Sequence, residues 1–202
     1  MKEIEEEIMI QYYNGSIFDS KADILCHQVN CQGAFGYGIA GQVKKLFPEV
    51  EKTYKRITKQ WIEKENGDTS KLLGRVSAQP VEKDGRWFLI GNLYGQDDYG
   101  RKKMVYTDYD ALEKAMGEIR SFLEARGKNE TVAFPYKIGC GSAGGDWIFP
   151  EGMLKIMLPV GSGLFVKFAF QAAKKYPKEC RQTRIDIEKR MCRVLAEWKG
   201  AK

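Results

Sequence analysis

Two clusters of glycine are the residues of this sequence with the clearest chemical meaning. Four of the 21 glycines lie between positions 33 and 41, and four more lie between positions 139 and 145. Each cluster follows an apolar run and precedes a segment with a helical pattern. Glycine lets backbone N–H groups converge without a Cβ in the way, and a helix N-terminus adds partial positive charge. One such cluster alone is typical of a tight turn, but two of them in equivalent places indicate a ligand with a diphosphate.

The first cluster contains Gly36-Tyr37-Gly38-Ile39-Ala40-Gly41, which matches the dinucleotide-binding pattern G-x-G-x-x-G. That fold needs a strand that runs directly into the first glycine and a second strand that ends in an acidic residue about 20 positions later. Six residues separate Val29 from Gly36, and a helical segment with Glu49 stands where the second strand is required. Because no Lys-Ser or Lys-Thr follows the glycines, a Walker phosphate loop is excluded as well.

Few other side chains offer catalytic chemistry. His27 is the only histidine, and strand alternation places it on the face opposite Gln28 and Asn30, which favours a buried structural role over a catalytic one. Cys140 lies between two glycines before a helical segment, where the pKa of a thiol can fall, but a small buried side chain explains it equally well. Asp146 either borders the second cluster as an acid or caps the next helix. The cysteines form no C-x-x-C pair, so a zinc ribbon fits poorly. We expect neither a metal nor a cofactor.

Three segments carry a family resemblance. They are Ala22-Asp23-Ile24-Leu25-Cys26-His27-Gln28-Val29-Asn30-Cys31-Gln32-Gly33, the Gly36 to Ala40 loop, and Pro135 to Gly141 followed by Gly144-Gly145-Asp146-Trp147. Together, and with the spacing to Tyr106-Thr107-Asp108-Tyr109, they resemble the macro domain, the ADP-ribose-binding module. The resemblance covers about residues 8 to 158. It is strongest to the branch of the yeast-type ADP-ribose 1''-phosphate phosphatase and the terminal ADP-ribose protein deacylase.

The resemblance implies roles for residues around both glycine clusters. Asp23 would accept a hydrogen bond from the adenine amino group, and a carboxylate there discriminates against guanine. Asn30 would contact the distal, scissile-end ribose. Without the resemblance, both residues would be interpreted as turn formers. The other implied ligand-binding residues are Ile24, Gly33, Gly36, Gly38, Ile39, Ala40, Gly139, Cys140, Gly141, Ser142, Ala143, Gly144 and Gly145.

The departures from the family concern catalysis. The deacylases of this branch use a lysine nucleophile on the strand that matches residues 87–93, and the matching position here is Asn92. Their partner aspartate matches Ala143. Because Schiff-base chemistry at the ribose needs a lysine amine, the resemblance argues against the lysine mechanism. Ser16 replaces the usual aspartate after Gly15, which weakens the adenine-side pattern.

Periodicity and turn residues predict the elements that must position these residues. Short apolar runs predict five strands, at residues 8–14, 24–30, 75–81, 87–93 and 131–136. Helical spacing predicts three helices, at residues 39–47 and 49–61 and from a cap at Asp108 to about 125. This alternation predicts a three-layer α/β/α fold with a central mixed sheet. We expect a macro-like domain over residues 1–158 and a divergent basic extension over residues 159–202.

The net charge of +6 is distributed unevenly along the chain. Residues 1–150 hold 21 Lys and Arg against 22 Asp and Glu, whereas residues 151–202 hold 12 against 5. The body therefore does not attract a ligand through a bulk positive field, and any weak nucleic-acid contact would belong to the tail. A tail helix is expected to pack an apolar stripe on the body or on a partner. This stripe consists of Ile187, Met191, Val194, Leu195 and Trp198.

Composition limits the class of protein and its location. With 43% hydrophobic and 30% charged residues, the chain has the composition of a globular protein, which excludes disorder and fibrous architecture. No run of 18 apolar residues is present, and the acidic residues at 3–7 are unlike a signal peptide. Five cysteines without paired spacing are typical of reduced thiols. We therefore expect a cytoplasmic protein without a membrane span, and the sequence predicts no particular oligomeric state.

These observations lead to three functional hypotheses. The first is a binding module or weak hydrolase that takes free or protein-linked ADP-ribose. The second is an ADP-ribose 1''-phosphate phosphatase or ADP-ribosyl hydrolase that uses water held by Asn30, Asn92 and His27. The third is a binder of another nucleotide diphosphate, which selectivity for adenine through Asp23 would distinguish from the first two.

Overall fold

The centre of the fold is a six-stranded sheet. The computed structural model describes residues 10–126, 130–148 and 166–170. Its strands are β1 (Ile10–Asn14), β2 (Ile24–Asn30), β3 (Val76–Lys83), β4 (Arg86–Gln96), β5 (Val132–Pro135) and β6 (Val166–Phe170). Their order in the sheet is β1-β6-β5-β2-β4-β3. All neighbours are parallel except β3 and β4, which form an antiparallel hairpin, so the predicted mixed sheet is confirmed.

Three α-helices accompany the sheet within the described ranges: α1 (Gly38–Leu46), α2 (Pro48–Lys64) and α3 (Tyr109–Arg126). Two short 3-10 helices, Ile17–Asp19 and Thr69–Leu72, lie in the connections. Pro48 stands in the first turn of α2, where its missing N–H leaves no hydrogen bond unmade. Asp108 caps α3 as predicted, since its Oδ1 accepts a hydrogen bond from the N–H of Ala111 at 2.9 Å. In the described part of the chain, no helix has both the length and the apolar character needed to cross a membrane.

Alternation along the strands creates one apolar core on each face of the sheet. Leu25 and Val29 of β2 pack on one face with residues of α1 and α2, including Val43 and Tyr54. The other face packs against α3, with Leu112 among the side chains of that core. Each fully buried aliphatic side chain of this kind contributes about 1.5–3 kcal/mol to folding. Helices thus cover both faces, and the predicted three-layer α/β/α fold is confirmed.

Strand β6 comes from the region that the sequence analysis assigned to the C-terminal extension. It pairs with β1 on one side and with β5 on the other. These five residues therefore belong to the central sheet. The domain boundary at 158/159 stays a prediction, and the tail helix predicted around residues 187–198 lies outside the described residues.

Candidate functional site

The two glycine clusters meet at one edge of the sheet. Strands β2 and β5 are neighbours and run parallel, so the loops that follow them leave the sheet at the same edge. We call residues 31–41 loop 1 and residues 136–145 loop 2. A cavity of about 320 Å³ is lined by both loops. The edge formed by the carboxyl ends of parallel strands is the usual place for a ligand in open α/β sheets.

About half of the residues expected to bind the ligand or to act on it line this cavity. They are His27, Gly38, Ile39, Ala40, Gly139, Cys140, Gly141, Ser142 and Ala143. The others do not line it: Asp23, Ile24, Asn30, Gly33, Gly36, Asn92, Gly144 and Gly145.

Asp23 lies at the opposite end of β2. It precedes the first residue of the strand whereas loop 1 follows the last one, and seven strand residues span about 23 Å. Its carboxylate Oδ2 accepts hydrogen bonds from the backbone N–H of Thr131 at 2.8 Å and from its hydroxyl at 3.0 Å. Asp23 therefore joins the start of β2 to the segment before β5. This geometry does not support the expectation that Asp23 contacts adenine.

Asn30 shapes loop 1 from within. Its Nδ2 donates to the carbonyl of Ala34 at 2.7 Å, and its Oδ1 accepts from the N–H of Gln32 at 2.9 Å and of Ala34 at 3.1 Å. The hydroxyl of Tyr54 on α2 donates to the Asn30 carbonyl at 2.6 Å. The register with β4 shifts between Val29 and Asn30, where Gly95 of β4 has no partner on β2.

His27 is buried and still reaches the cavity wall. Only 2% of the residue is exposed, and its ring meets the ring of Phe35 edge-on, with 5.6 Å between the centroids. Burial lowers the pKa of His27 to about 4, an effect that polar contacts with Asn92 and the Gln28 backbone partly offset. Neither ring nitrogen has a hydrogen-bond partner among the described residues. The imidazole is therefore neutral at pH 7, with polar atoms left over for a ligand.

Loop 2 is held by contacts with a distant segment of the chain. The hydroxyl of Thr107 donates to the carbonyl of Gly139 at 2.7 Å, and the N–H groups of Tyr106 and Thr107 donate to the carbonyl of Ala143 at 2.8 and 3.2 Å. Gly139 has a φ of +77°, and a Cβ there would lie 2.7 Å from Oε1 of Gln28. Glycine is required at this position by both the backbone angle and the close approach.

Sequence reasoning missed all three glutamines of the cavity wall, of which Gln28 and Gln96 are bonded to each other. The Nε2 of Gln28 donates to Oε1 of Gln96 at 2.9 Å and to the Thr107 hydroxyl at 3.1 Å, while its own Oε1 is buried without a partner in the described structure. A polar residue inside the apolar run of β2 was the available signal for Gln28. Sequence reasoning also assigned no ligand role to several other lining residues: Gly15, Ser16, Ile17, Tyr37, Gln42, Pro135, Tyr136, Lys137 and Ile138.

The charge of the cavity wall suits an anion. Lys137 is the one Lys or Arg among the described lining residues, and no Asp or Glu lines the cavity. Its φ of +60° is a left-handed conformation that lysine rarely adopts, and its Nζ lies 5.6 Å from the centre of the Tyr136 ring. No cluster of His, Cys, Asp and Glu side chains that could hold a metal occurs in the described part of the chain.

Cys140 and Asp146, which were both considered for catalysis, have surroundings that are typical of structural residues. Burial raises the pKa of Cys140 to about 12, which favours the interpretation as a small buried side chain over that of an activated thiol. The carboxylate of Asp146 accepts a hydrogen bond from the N–H of Ile148 at 3.2 Å, as a cap does. Among the described residues, no Asp or Glu lines the cavity.

Two curated relatives match most of the chain, whereas no protein-family model matches the sequence. The chain is 28% identical over 167 residues to the ADP-ribose 1''-phosphate phosphatase of Saccharomyces cerevisiae, which covers 77% of this chain and 84% of the relative. It is 30% identical over 149 residues to an uncharacterized 17.5 kDa protein of Enterobacteria phage T4. That match covers 73% of this chain and 88% of the relative.

Solved structures share the same architecture. The macrodomain of Mycobacterium tuberculosis DarG superposes with a TM-score of 0.60 at 25% identity, covering 81% of this chain and 99% of that one. Thermosipho africanus DarTG in complex with ADP-ribose superposes with a TM-score of 0.61 at 19% identity, covering 86% of this chain and 46% of that one. The described sheet and helices therefore have the arrangement of known macrodomains.

Proposed function

The chain belongs to the macro domain family, and on this premise we propose that it binds ADP-ribose or a close derivative in the cavity between loops 1 and 2. The observation that carries the proposal is the convergence of two glycine-rich loops on one cavity without an acidic side chain. The Thermosipho africanus relative, which holds ADP-ribose, supports the same ligand class.

The start of α1 offers a place for the diphosphate. Tyr37 occupies the N-cap position and makes no side-chain hydrogen bond to the first turn. The N–H groups at the start of a helix lack partners within it and carry the positive end of the helix dipole. Since Gly38, Ile39 and Ala40 line the cavity, we assign their backbone N–H groups to one phosphate and loop 2 to the other side of the diphosphate. Lys137 adds a positive charge to this wall.

Base recognition needs a different residue from the one expected. With Asp23 at the far edge of the sheet, we place the adenine at the end of the cavity lined by Gly15, Ser16 and Ile17. The resemblance puts the adenine side at this segment. A serine hydroxyl both donates and accepts, so it rejects guanine less strictly than a carboxylate does. The preference for adenine over guanine is therefore expected to be weaker than an aspartate would provide.

Calorimetry with ADP-ribose, AMP and GDP-mannose tests the proposal. We expect micromolar affinity for ADP-ribose, which corresponds to about −8 kcal/mol. Ser142→Trp places a large ring at an exposed lining position and is expected to weaken binding at least tenfold. Asp23→Ala is the matched control at the opposite edge, and its affinity should stay within a few-fold of the wild type. Absence of ADP-ribose binding, or an equal loss in both variants, would contradict the proposed site.

Hydrolysis of the bound ligand is the second candidate function, and His27 favours it. A neutral imidazole on the cavity wall can take a proton from a water molecule that attacks phosphorus or the distal ribose. Asn30 and Asn92 do not line the cavity, so a water held by these two amides is not part of this proposal. Asn92 carries an amide where the lysine mechanism needs an amine, so that strand position does not form a Schiff base.

His27→Gln separates binding from hydrolysis. If the protein is an ADP-ribose 1''-phosphate phosphatase or an ADP-ribosyl hydrolase, the variant loses turnover about a hundredfold or more while its Kd stays within a few-fold. Unchanged turnover per folded molecule would contradict a catalytic His27. Its melting temperature, measured alongside, shows how much of the rate loss reflects unfolding.

Two further expectations accompany the proposed function. We propose that protein-linked ADP-ribose enters the same cavity, because Tyr37 at its wall is 70% exposed and leaves this side open. Cys26, Cys31 and Cys140 are free thiols in the structure, which supports a reducing compartment such as the cytoplasm. Any nucleic-acid contact through the tail concerns residues outside the described ranges.

A further inference from the structure

A row of three buried polar side chains crosses the sheet and ends at the cavity. Ser77 on β3 is paired with Asn92 on β4, and Asn92 is paired with His27 on β2. These residues are 4%, 0% and 2% exposed. The residues two positions before and after His27 and Asn92 on the same face are all apolar or aromatic core residues: Leu25, Val29, Ile90 and Tyr94. Because burial of polar groups is costly unless they are paired, this row requires an explanation.

The hydrogen bond between Asn92 and Ser77 determines which atom of the Asn92 amide is left without a partner. Nδ2 of Asn92 donates to the hydroxyl oxygen of Ser77 at 3.2 Å. This bond uses the amide nitrogen and leaves Oδ1 of Asn92, a pure acceptor, without a partner among the described residues. On the neighbouring strand, both nitrogens of His27 also lack a partner. An acceptor and an imidazole are therefore buried side by side.

Two further contacts restrict the imidazole. The ring of Phe35 stands edge-on to it, at an interplanar angle of 76°. The amide of Asn92 lies close enough to raise the pKa of His27 against the effect of burial, although neither ring nitrogen meets the geometry of a formed hydrogen bond. A hydrogen bond between the two side chains would satisfy a buried group on each, and an unpartnered buried donor gains from forming one.

We propose that Asn92 is a positioning residue that fixes the tautomer of His27. One ring N–H of His27 donates to Oδ1 of Asn92, and the other ring nitrogen presents its lone pair to the cavity. A neutral imidazole has one donor and one acceptor nitrogen, so the partner of the first determines the state of the second. Ser77 contributes by keeping the Asn92 amide in the orientation that points Oδ1 towards His27.

The consequence for chemistry rests on the proposed function. A lone pair that faces the cavity accepts a proton from water or from a ligand hydroxyl, whereas an N–H there would donate to a phosphate oxygen. The row therefore assigns His27 the part of a base or acceptor and not that of an acid. If the Asn92 amide had the opposite orientation, His27 would instead present an N–H to the cavity and would act as a donor or an acid.

The tautomer of His27 is directly measurable because it is the only histidine in the chain. In the wild-type protein without ligand, we expect the imidazole ¹⁵N spectrum to show one neutral tautomer. Its N–H proton should exchange slowly with solvent and show a nuclear Overhauser effect to the Asn92 side chain. An N–H that exchanges rapidly, or an equal mixture of both tautomers, would overturn the proposal.

Substitutions at Asn92 test the direction of the bond. Asn92→Asp offers only acceptor atoms when ionised, so it should preserve the wild-type tautomer and raise the pKa of His27. A switch to the other tautomer would show that Asn92 donates to His27 in the wild type, which is the opposite of the proposal. Asn92→Leu should abolish the preference for one tautomer. Thr53→Val is the control, since the Thr53 hydroxyl on α2 donates to Oε1 of Gln79 on β3 and not to a residue of the row.

Ser77→Ala supplies a second test if the variants at Asn92 do not fold. Without its acceptor at Ser77, the amide is expected to occupy both orientations, and the tautomer preference of His27 should weaken. An unchanged preference would show that Ser77 does not set the orientation. All these spectra are recorded without ligand, so their outcome is independent of whether ADP-ribose binds. Turnover is expected to fall at least about tenfold in Asn92→Leu and to recover in part in Asn92→Asp.

Discussion

Loop 1 and loop 2 border the same cavity but are held in different ways. The Asn30 side chain closes loop 1 onto its own residues through Gln32 and Ala34. Loop 2 is held from outside, by Thr107 and by the backbone that precedes α3. Glycine clusters that look alike in the sequence thus have different supports.

The two loops also differ in the space available for a side chain at their glycines. A Cβ at Gly36 in loop 1 would meet no atom within 4 Å, whereas a Cβ at Gly139 in loop 2 would press on Gln28 and Thr107. Loop 1 is closed by one amide side chain and tied to Thr69 and Asp97 by hydrogen bonds of Gln32, whereas loop 2 packs tightly against Gln28 and Thr107. We therefore expect substitutions at Gln28 or Thr107 to displace loop 2.

The largest effect is expected from removal of β6, which supports the strand that leads into loop 2. β5 pairs with β2 through two residues and with β6 through four. Truncation after residue 159 exposes this edge of β5 and leaves β1 without its sheet partner, so we expect loss of the folded protein and of ADP-ribose binding. The melting temperature of the variant that ends at residue 159 is compared with that of a variant that ends at residue 170. The difference isolates the contribution of residues 160–170. A chain ending at 159 that melts like the full chain would contradict the role of β6.

A smaller effect separates the glycines of the two loops. Gly139→Ala is expected to lower the free energy of unfolding by about 2–4 kcal/mol, because it combines a left-handed backbone with overpacking against Gln28. Gly36→Ala is the matched control, and its change should remain within about 0.5 kcal/mol. Urea denaturation of both variants measures the difference. Equal losses would show that the loops do not differ in packing.

The smallest predicted effect concerns the strand that leads into loop 1. Burial lowers the pKa of His27 to about 4 in the folded state, against about 6.5 for an unfolded chain. As the pH falls from 6.5 to 5.5, the unfolded state gains a proton that the folded state does not bind. The free energy of unfolding should therefore fall by about 1 kcal/mol, and this loss should level off below about pH 4. Denaturant unfolding of the wild type and of His27→Gln isolates this contribution, which the variant should lack.

Local patterns predicted the elements and both loops, because apolar runs and turn residues are properties of neighbouring positions. The bounds of β2 match the prediction, whereas β4 extends three residues beyond it, to Gln96. Strand β6 was not predicted, since Val166–Phe170 lies in a basic region whose pairing with β1 and β5 is a long-range contact.

The site was predicted less completely, for geometric reasons. Asp23 and His27 lie on one short segment, but only the direction of β2 shows that Asp23 stands at the wrong edge for the cavity. The register shift that leaves Gly95 of β4 unpaired beside Asn30 depends on two distant strands, so neighbouring residues do not indicate it. Lys137 lines the cavity and has a left-handed backbone angle, and neither property is indicated by its neighbours in the sequence.

The pairing of the first described strand with the last also affects how the protein is made. β1 begins at Ile10, and its sheet partner β6 begins at Val166. At a ribosome that adds about 5–20 residues per second, β1 waits roughly 8–30 s before its partner has been synthesised. During that time β1 and one edge of β5 expose unpaired backbone groups, which are templates for aggregation. The nascent chain is therefore expected to need protection by chaperones until β6 emerges.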